Sequence, residues 1–183
     1  MRIKQYHADN GRFQDTSFKT HCQQWGQTLT FCGVNAHFQN GRAEHRIRDL
    51  QDGARTSLLH AIQKWPSTIT INLWPYALRY ANDVNNHVPT KEKDLSPIEM
   101  FSATNQKSPV KQFYHFGCPV YVLDNALQAG NRSGSKWKQR TRLGINLGFS
   151  PQYAKSVHLV ISLQSGCVSP QFLCIFDNIF ETL

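Results

Sequence analysis

Long apolar runs are missing from this chain. Of its 183 residues 40% are apolar, but they come in short stretches, and the opening segment from Met1 to Asn10 is polar. A membrane-spanning helix needs about 20 consecutive apolar residues and a secretion signal needs an apolar core, so a soluble protein, not obviously secreted, is expected. Paired cysteines are missing as well. Cys22, Cys32, Cys118, Cys167 and Cys174 are odd in number and scattered, with no Cys-x-x-Cys. That excludes a disulfide framework and points to reduced thiols in a reducing compartment. His21, Cys22, Cys32 and His37 have the residue types of a zinc set but not the spacing of a standard finger. Acidic residues are few: 12 Asp and Glu stand against 20 Lys and Arg, a formal charge of +8. None falls between Asp124 and Asp177, where Arg132, Lys136, Lys138, Arg140, Arg142 and Lys155 all lie. A stretch of one sign favours a polyanionic partner by counterion release from phosphates, with plain solubility as the competing explanation. Internal repeats and low-complexity tracts are absent too, which excludes a solenoid and a disordered chain.

What is present reads as alternating short elements. Ile3 to Ala8 has the pattern of a strand, and the Asp9-Asn10-Gly11 turn ends it, leaving Asp9 at a strand's C-terminal tip. Asp15 to Trp25 follows as a helix, with Asp15 as N-cap, Phe18, Cys22 and Trp25 on one face, and Gly26 closing the C-terminus. Thr28 to Phe31 is a strand and Gly33 to Gln39 a loop. The strongest pattern opens at Asn40-Gly41, where Ala43, Ile47, Leu50, Ala54, Leu58, Ala61 and Ile62 recur at helical spacing until Pro66 stops it. On another face of that helix Glu44, Arg48, Gln51 and Arg55 recur at steps of three and four, so one carboxylate heads a basic ridge. Thr70 to Asn86 predicts a further helix with Pro75 near its first turn, and Leu95 to Phe101 a short one with Ser96 as N-cap and Pro97 at the first helical position. Beyond Pro109 the texture turns to strands: 116–122, 142–149, 157–163 and 171–176, with a Gln164-Ser165-Gly166 turn. These predict a small barrel or sheet. The junction is expected in Thr104 to Pro109, dividing the chain into 1–103 and 110–183.

Phosphoryl transfer by two metal ions needs carboxylates that converge on a pair of divalent cations. An Asp at a strand tip and a Glu on the first turn of a helix can both project into one cleft, and Asp9 and Glu44 have those expected placements. Spacing alone does not separate them from ordinary surface acids, and a Glu44–Arg48 ion pair on a solvated face is the competing reading. The surrounding residues carry more. His7-Ala8-Asp9-Asn10-Gly11-Arg12-Phe13 is similar to the Asp-Asn-Gly-x-(Glu/Phe) segment that holds the second carboxylate of retroviral-type integrases with an Asp, Asp, Glu triad. The segment from Gly33 to Arg48, with Gln39-Asn40-Gly41-Arg42-Ala43-Glu44 at its centre, resembles the one holding that family's third carboxylate, where Gln-Asn-Gly-x-Ala-Glu opens a long helix. Further on, 116–122, 147–151, 164–166 and 176–181 resemble the tail of Ty1/copia-type retrotransposon polyproteins. The resemblance covers nearly the whole chain, with Ser67 to Val110 matching least distinctively.

The resemblance implies an α+β chain: a truncated RNase H-like α/β integrase core followed by a small SH3-like β-barrel. It implies metal-dependent DNA strand transfer in the intact enzyme, with Asp9 and Glu44 as catalytic ligands to Mg²⁺ or Mn²⁺ and no small-molecule cofactor. The implied partners are DNA, as element ends and target, and other integrase chains, with no membrane. The implied setting is the nucleus for integration and cytoplasmic virus-like particles before it. Asn40, Arg48, Arg55, Lys136, Lys138 and Arg140 are the expected nucleic-acid contacts. For Asn40 helix capping competes equally, for Arg48 and Arg55 plain solvation does, and Gln39 is weighed with Asn40. Trp137 is expected to fill the small barrel's core rather than to stack on a base. In the family a His-His-Cys-Cys zinc module, three strands and the first catalytic Asp precede the segment that opens here. The chain is therefore expected to be a fragment, inactive alone; a catalytically dead nucleic-acid-binding remnant is the alternative.

Overall fold

The computed structural model describes residues 2–9, 11–34, 36–89, 94–103, 112–130 and 137–183. They form an α+β protein with two compact units, Met1–Asp49 with Phe101–Ala103, and Leu50–Met100 with Thr104–Leu183. The division runs within one long helix; the expected junction at Thr104 to Pro109 lies outside the described residues.

In the first unit β1 (Gln5–Ala8) and β2 (Thr28–Phe31) pair in parallel, Gln5 opposite Thr28 and Ala8 opposite Phe31. Parallel neighbours need a crossover, and α1 (Thr16–Gln24) supplies it. Cys22, 1% exposed, is the residue of α1 that is buried, and Phe18 meets Tyr6 and Phe13 edge-on with ring centroids 5.4 and 5.6 Å away. The helix closes as the sequence predicts. Gly26 takes φ +59°, its N–H donates to the Gln23 carbonyl at 3.1 Å, and the Gln27 N–H donates to Cys22 at 2.8 Å. Its start differs: the Asp15 carboxylate accepts the Ser17 hydroxyl at 3.0 Å and caps no backbone N–H. Trp25, expected to share a face with Phe18 and Cys22, is 54% exposed beneath the Arg2 guanidinium.

The long helix, α2 (Gly41–Lys64), runs over the span its periodicity predicts. Only the later part of its apolar stripe is buried. Ala54, Leu58 and Ala61 lie in the core of the second unit, whereas Ala43 and Ile47 are exposed. A single 3₁₀ turn, Ile71–Leu73, replaces the expected first turn of the next helix, and α3 (Trp74–His87) starts with Pro75 at its N-terminus. There Pro costs nothing, because the N–H it lacks has no helical acceptor. The next helix, α4 (Pro97–Ser102), has a complete capping box. The Ser96 hydroxyl and N–H donate to the Glu99 carboxylate at 2.6 and 2.8 Å, and the Glu99 N–H donates back to the Ser96 oxygen at 3.4 Å.

The sheet of the second unit has five antiparallel strands: β3 (Pro119–Leu123), β4 (Thr141–Phe149), β5 (His158–Ser162), β6 (Val168–Gln171) and β7 (Cys174–Phe176), in the order β6-β5-β4-β3-β7. A four-residue helical turn, α5 (Asn125–Gln128), follows β3. The central strand β4 packs on α3, and Ile145 and Leu147 join Leu58, Ile69 and Phe116 in one core. Where one strand is expected over 171–176 there are two, and they lie on opposite edges. Pro170 explains part of this: without an N–H it suits an edge strand such as β6. Both edges are unpaired among the described residues, so the sheet is open there.

Asn146, fully buried in β4, ties this unit together. Its amide donates to the Tyr114 and His115 carbonyls at 3.3 and 3.0 Å, and its oxygen accepts the Gly148 N–H and His158 Nδ1, each at 3.1 Å. The C-terminal tail is held similarly, by Thr182 donating to Asp177 and by the Asn178 side chain accepting the His115 N–H at 2.6 Å. Those bonds from Thr182 hold the Asp177 carboxyl below the usual carboxylate range. Among the described residues no helix is long and apolar enough to cross a membrane.

Candidate functional site

Asp9 follows directly on β1, at the carboxyl end of the parallel pair, which is where ligands gather in parallel α/β structure because loops diverge there. Its exposed carboxylate accepts the Gly11 N–H at 3.4 Å in an Asx-type turn. A Cβ on Gly11 would come within 3.3 Å of that oxygen, so glycine lets the backbone fold close over the carboxylate. Asn10 lies outside the described residues. The strand behind Asp9 is well anchored: the Cys32 N–H donates to Ala8 at 2.9 Å, extending the ladder past β2, and His7 Nδ1 meets Thr30 Oγ1 at 2.9 Å.

From Cys32 the chain turns into α2 through a loop pinned by one side chain. The Gln39 carbonyl oxygen accepts the Gly33 N–H at 2.9 Å, and successive turns carry Ala36 N–H to Gly33 and Gln39 N–H to Ala36. Gln39 thus spends its oxygen on the loop. Asn40, half-buried, closes the 3₁₀ turn His37–Asn40, and α2 begins at the next residue. Glu44 is the acidic residue in the first turn of α2, where the helix dipole favours a negative charge. The Gly33–Gln39 tie holds the residues before α2 back towards the end of β2. The competing pair does not form: among the described residues the side-chain contact on this stretch is His45 Nδ1 to Asp49 Oδ2, at 2.9 Å, not Glu44–Arg48.

Asp9 and Glu44 are two donors, and a divalent ion needs more. Among the described residues no three side chains of His, Cys, Asp or Glu gather to hold a metal, the His21, Cys22, Cys32 and His37 set included as far as it is described. No chemical step is assigned to Asp9 and Glu44.

The basic residues divide between the units. In the first, Arg48 is exposed on α2, and Arg42, His45 and Arg46 line a shallow open depression with Gly41 and Asp49. Arg42 and Arg46 were not singled out in the sequence, although their spacing of four was a signal for a shared face. In the second unit Arg55 is exposed beside Gln51 on an apolar groove of about 300 Å³ lined by Ala54, Leu58, Ile71 and Trp74. Lys138 and Arg140 are exposed just before β4; Lys136 lies outside the described residues. Trp137 corrects the sequence reading. It is 97% exposed, not in the core, because the sheet fills its interior with Val120, Val122 and Val160 and leaves the residues before β4 outside.

No protein-family model matches this chain, and no curated protein sequence does. Among solved structures, an electron cryomicroscopy structure of the simian T-cell lymphotropic virus intasome in complex with PP2A regulatory subunit B56 gamma is similar at 17% sequence identity and a TM-score of 0.42. The likeness covers 96% of this chain, which spans 58% of that one.

Proposed function

We propose that this chain is the later part of the integrase core of a Ty1/copia-type retrotransposon with its C-terminal β module, and that the intact enzyme joins element DNA to target DNA. One observation carries the reading. An Asp at the tip of a parallel strand and a Glu in the first turn of the helix after the neighbouring strand belong to one unit, each inside a segment that resembles the matching integrase motif. On this reading β1, α1, β2 and α2 belong to an RNase H-like core and the five-stranded sheet is its SH3-like module. Asp9 and Glu44 supply two carboxylates for Mg²⁺ or Mn²⁺, and a third comes from a preceding segment. Asn40, Arg48, Arg55, Lys136, Lys138 and Arg140 contact DNA, joined by Arg42 and Arg46, and the work is done in the nucleus.

A Mn²⁺ titration followed by amide NMR tests the shared ion. Paramagnetic broadening should spread together around Ala8 to Gly11 and around Glu44, and either Asp9→Asn or Glu44→Gln should abolish it at both places. Broadening at one carboxylate without the other would refute the shared site. A strand-transfer assay of the chain alone should show no joining; joining that disappears in Glu44→Gln would show that two carboxylates suffice.

The lack of a third donor among the described residues favours a second reading, a nucleic-acid-binding chain without catalysis. It predicts DNA or RNA affinity that falls steeply with salt, ignores Mg²⁺ and weakens when Lys136, Lys138 and Arg140 are neutralised.

A further inference from the structure

We propose that a pocket of the second unit, walled by α2, α3 and the residues before β3, binds a nucleobase that carries an exocyclic amine, so that adenine, cytosine or guanine is taken in preference to uracil or thymine. The inference goes beyond the integrase reading and uses neither carboxylate of the first unit.

The pocket encloses about 300 Å³ and is lined by Thr56, Ser57 and His60 of α2, Tyr80 of α3, and His115 and Phe116. All six belong to one unit. That volume lies at the small end of ligand sites and has room for a single base. Aromatic rings make up most of the wall. Phe116 is 2% exposed with the Tyr80 ring 5.7 Å away, while the imidazoles of His60 and His115 are exposed. A flat heteroaromatic ring suits such walls, because rings stack on rings.

The hydrogen bonds select among such rings. The Thr56 hydroxyl donates to the Asp52 carbonyl and the Ser57 hydroxyl to the Gly53 carbonyl, each at 2.9 Å. Both protons are committed within α2, so the two oxygens offer a ligand only lone pairs. His115 Nδ1 lies 3.0 Å from the Asn178 carbonyl oxygen, which can only accept. Nδ1 therefore carries the proton of the neutral ring, and Nε2 is an acceptor. Tyr80 differs: the Phe116 backbone hydrogen-bonds its oxygen, and its own proton is left to donate. Three acceptors and one donor match a base whose edge has an amine next to a ring nitrogen. Uracil and thymine present carbonyl oxygens in place of that amine and would set lone pair against lone pair.

The imidazoles are braced from the C-terminal tail. The Phe180 ring meets His60 edge-on with centroids 5.2 Å apart and lies 6.5 Å from His115. Lys64, one turn beyond His60, holds its ammonium 5.5 Å from the centre of the same Phe180 ring. A phosphate attached to the base therefore has a cation beside the pocket. Among the described residues no carboxylate lines it, so a cationic ligand would find no counter-charge.

The test is a titration of the full chain, followed by amide NMR, with AMP, CMP, UMP and inorganic phosphate in turn. AMP and CMP should shift the signals of Thr56 to His60, Tyr80 and Phe116 together, UMP should bind about 10-fold more weakly, and phosphate should leave those signals in place. Thr56→Ala and Ser57→Ala, which suit a helix, should each weaken AMP by about 3- to 10-fold and leave UMP nearly unchanged. Equal binding of AMP and UMP overturns the proposal, as does a response to phosphate that matches AMP, or undiminished AMP binding in both variants. If no nucleotide moves the pocket signals, the site does not exist. An oligodeoxyadenylate of about 10 nucleotides identifies the source of the base. Tighter binding than AMP at the same signals shows a base within a strand, and binding of AMP alone shows a free nucleotide; either result upholds the pocket. Asp9 and Glu44 lie in the other unit, so the Mn²⁺ titration tests their shared ion separately.

Discussion

Acid should unfold the second unit through one histidine. His158 is 3% exposed, with its ring 4.7 Å from Phe149, 4.6 Å from Phe176 and 5.6 Å from Tyr114. Its Nδ1 faces the Asn146 oxygen, which already accepts the Gly148 N–H, so Nδ1 carries the proton of the neutral ring and Nε2 is the atom left to titrate. A charge there would sit among aromatic rings, and burial pushes this histidine down from 6.5 to about 4. The sign follows: between those values the unfolded chain binds a proton that the folded chain refuses, so stability falls as pH drops through the window and levels off below it. The loss should reach about 2.5 kcal/mol at pH 4.5, relative to neutral pH. Asp83, whose carboxyl is raised by burial, acts in the opposite direction, so the contribution of His158 is read against a variant. Urea midpoints for the wild type and His158→Phe, followed by amide signals of β4 and β5 from pH 7 to 4.5, make that comparison. The variant should start about 1 kcal/mol lower, for its lost hydrogen bond, and then decline much less. Parallel decline of the two proteins would refute the reasoning.

Asn146→Ala should cost about 3 kcal/mol or more, measured by urea unfolding, because it strands the buried Gly148 N–H and the carbonyls before β3. Gly117 has φ +84°, and an added Cβ would lie 2.5 Å from the Cβ of Ala61, so Gly117→Ala should lose about 2–4 kcal/mol. Ala61→Gly in the same chain should recover the steric part and leave the backbone strain, and full recovery would show that the conformation costs nothing. Ser96→Ala opens the capping box of α4 and should cost about 1 kcal/mol, checked by the thermal midpoint.

Local rules were enough wherever one stretch of chain contains its own partners. The Gly26 closure of α1, the Ser96 box, Pro75 at the start of α3, and the span of α2 from Gly41 to Lys64 all follow from residues within a few positions of one another. The placement of Asp9 at a strand tip and Glu44 on a first helical turn was legible for the same reason. What the sequence could not supply is anything decided by a distant neighbour. Periodicity put Ala43 and Ile47 on the same stripe as Leu58, yet only tertiary packing says which part of a stripe is covered. The run 171–176 reads as one strand because alternation is local, while its division between two edges depends on β5, which pairs with Gln171, and on β3, which pairs with Cys174 to Phe176. Trp137 is the sharpest case: its hydrophobicity argues for burial, but burial requires a cavity to receive it, and three valines already occupy that interior. Helix signals, caps and turns are properties of contiguous residues; exposure is a property of what the rest of the chain brings alongside.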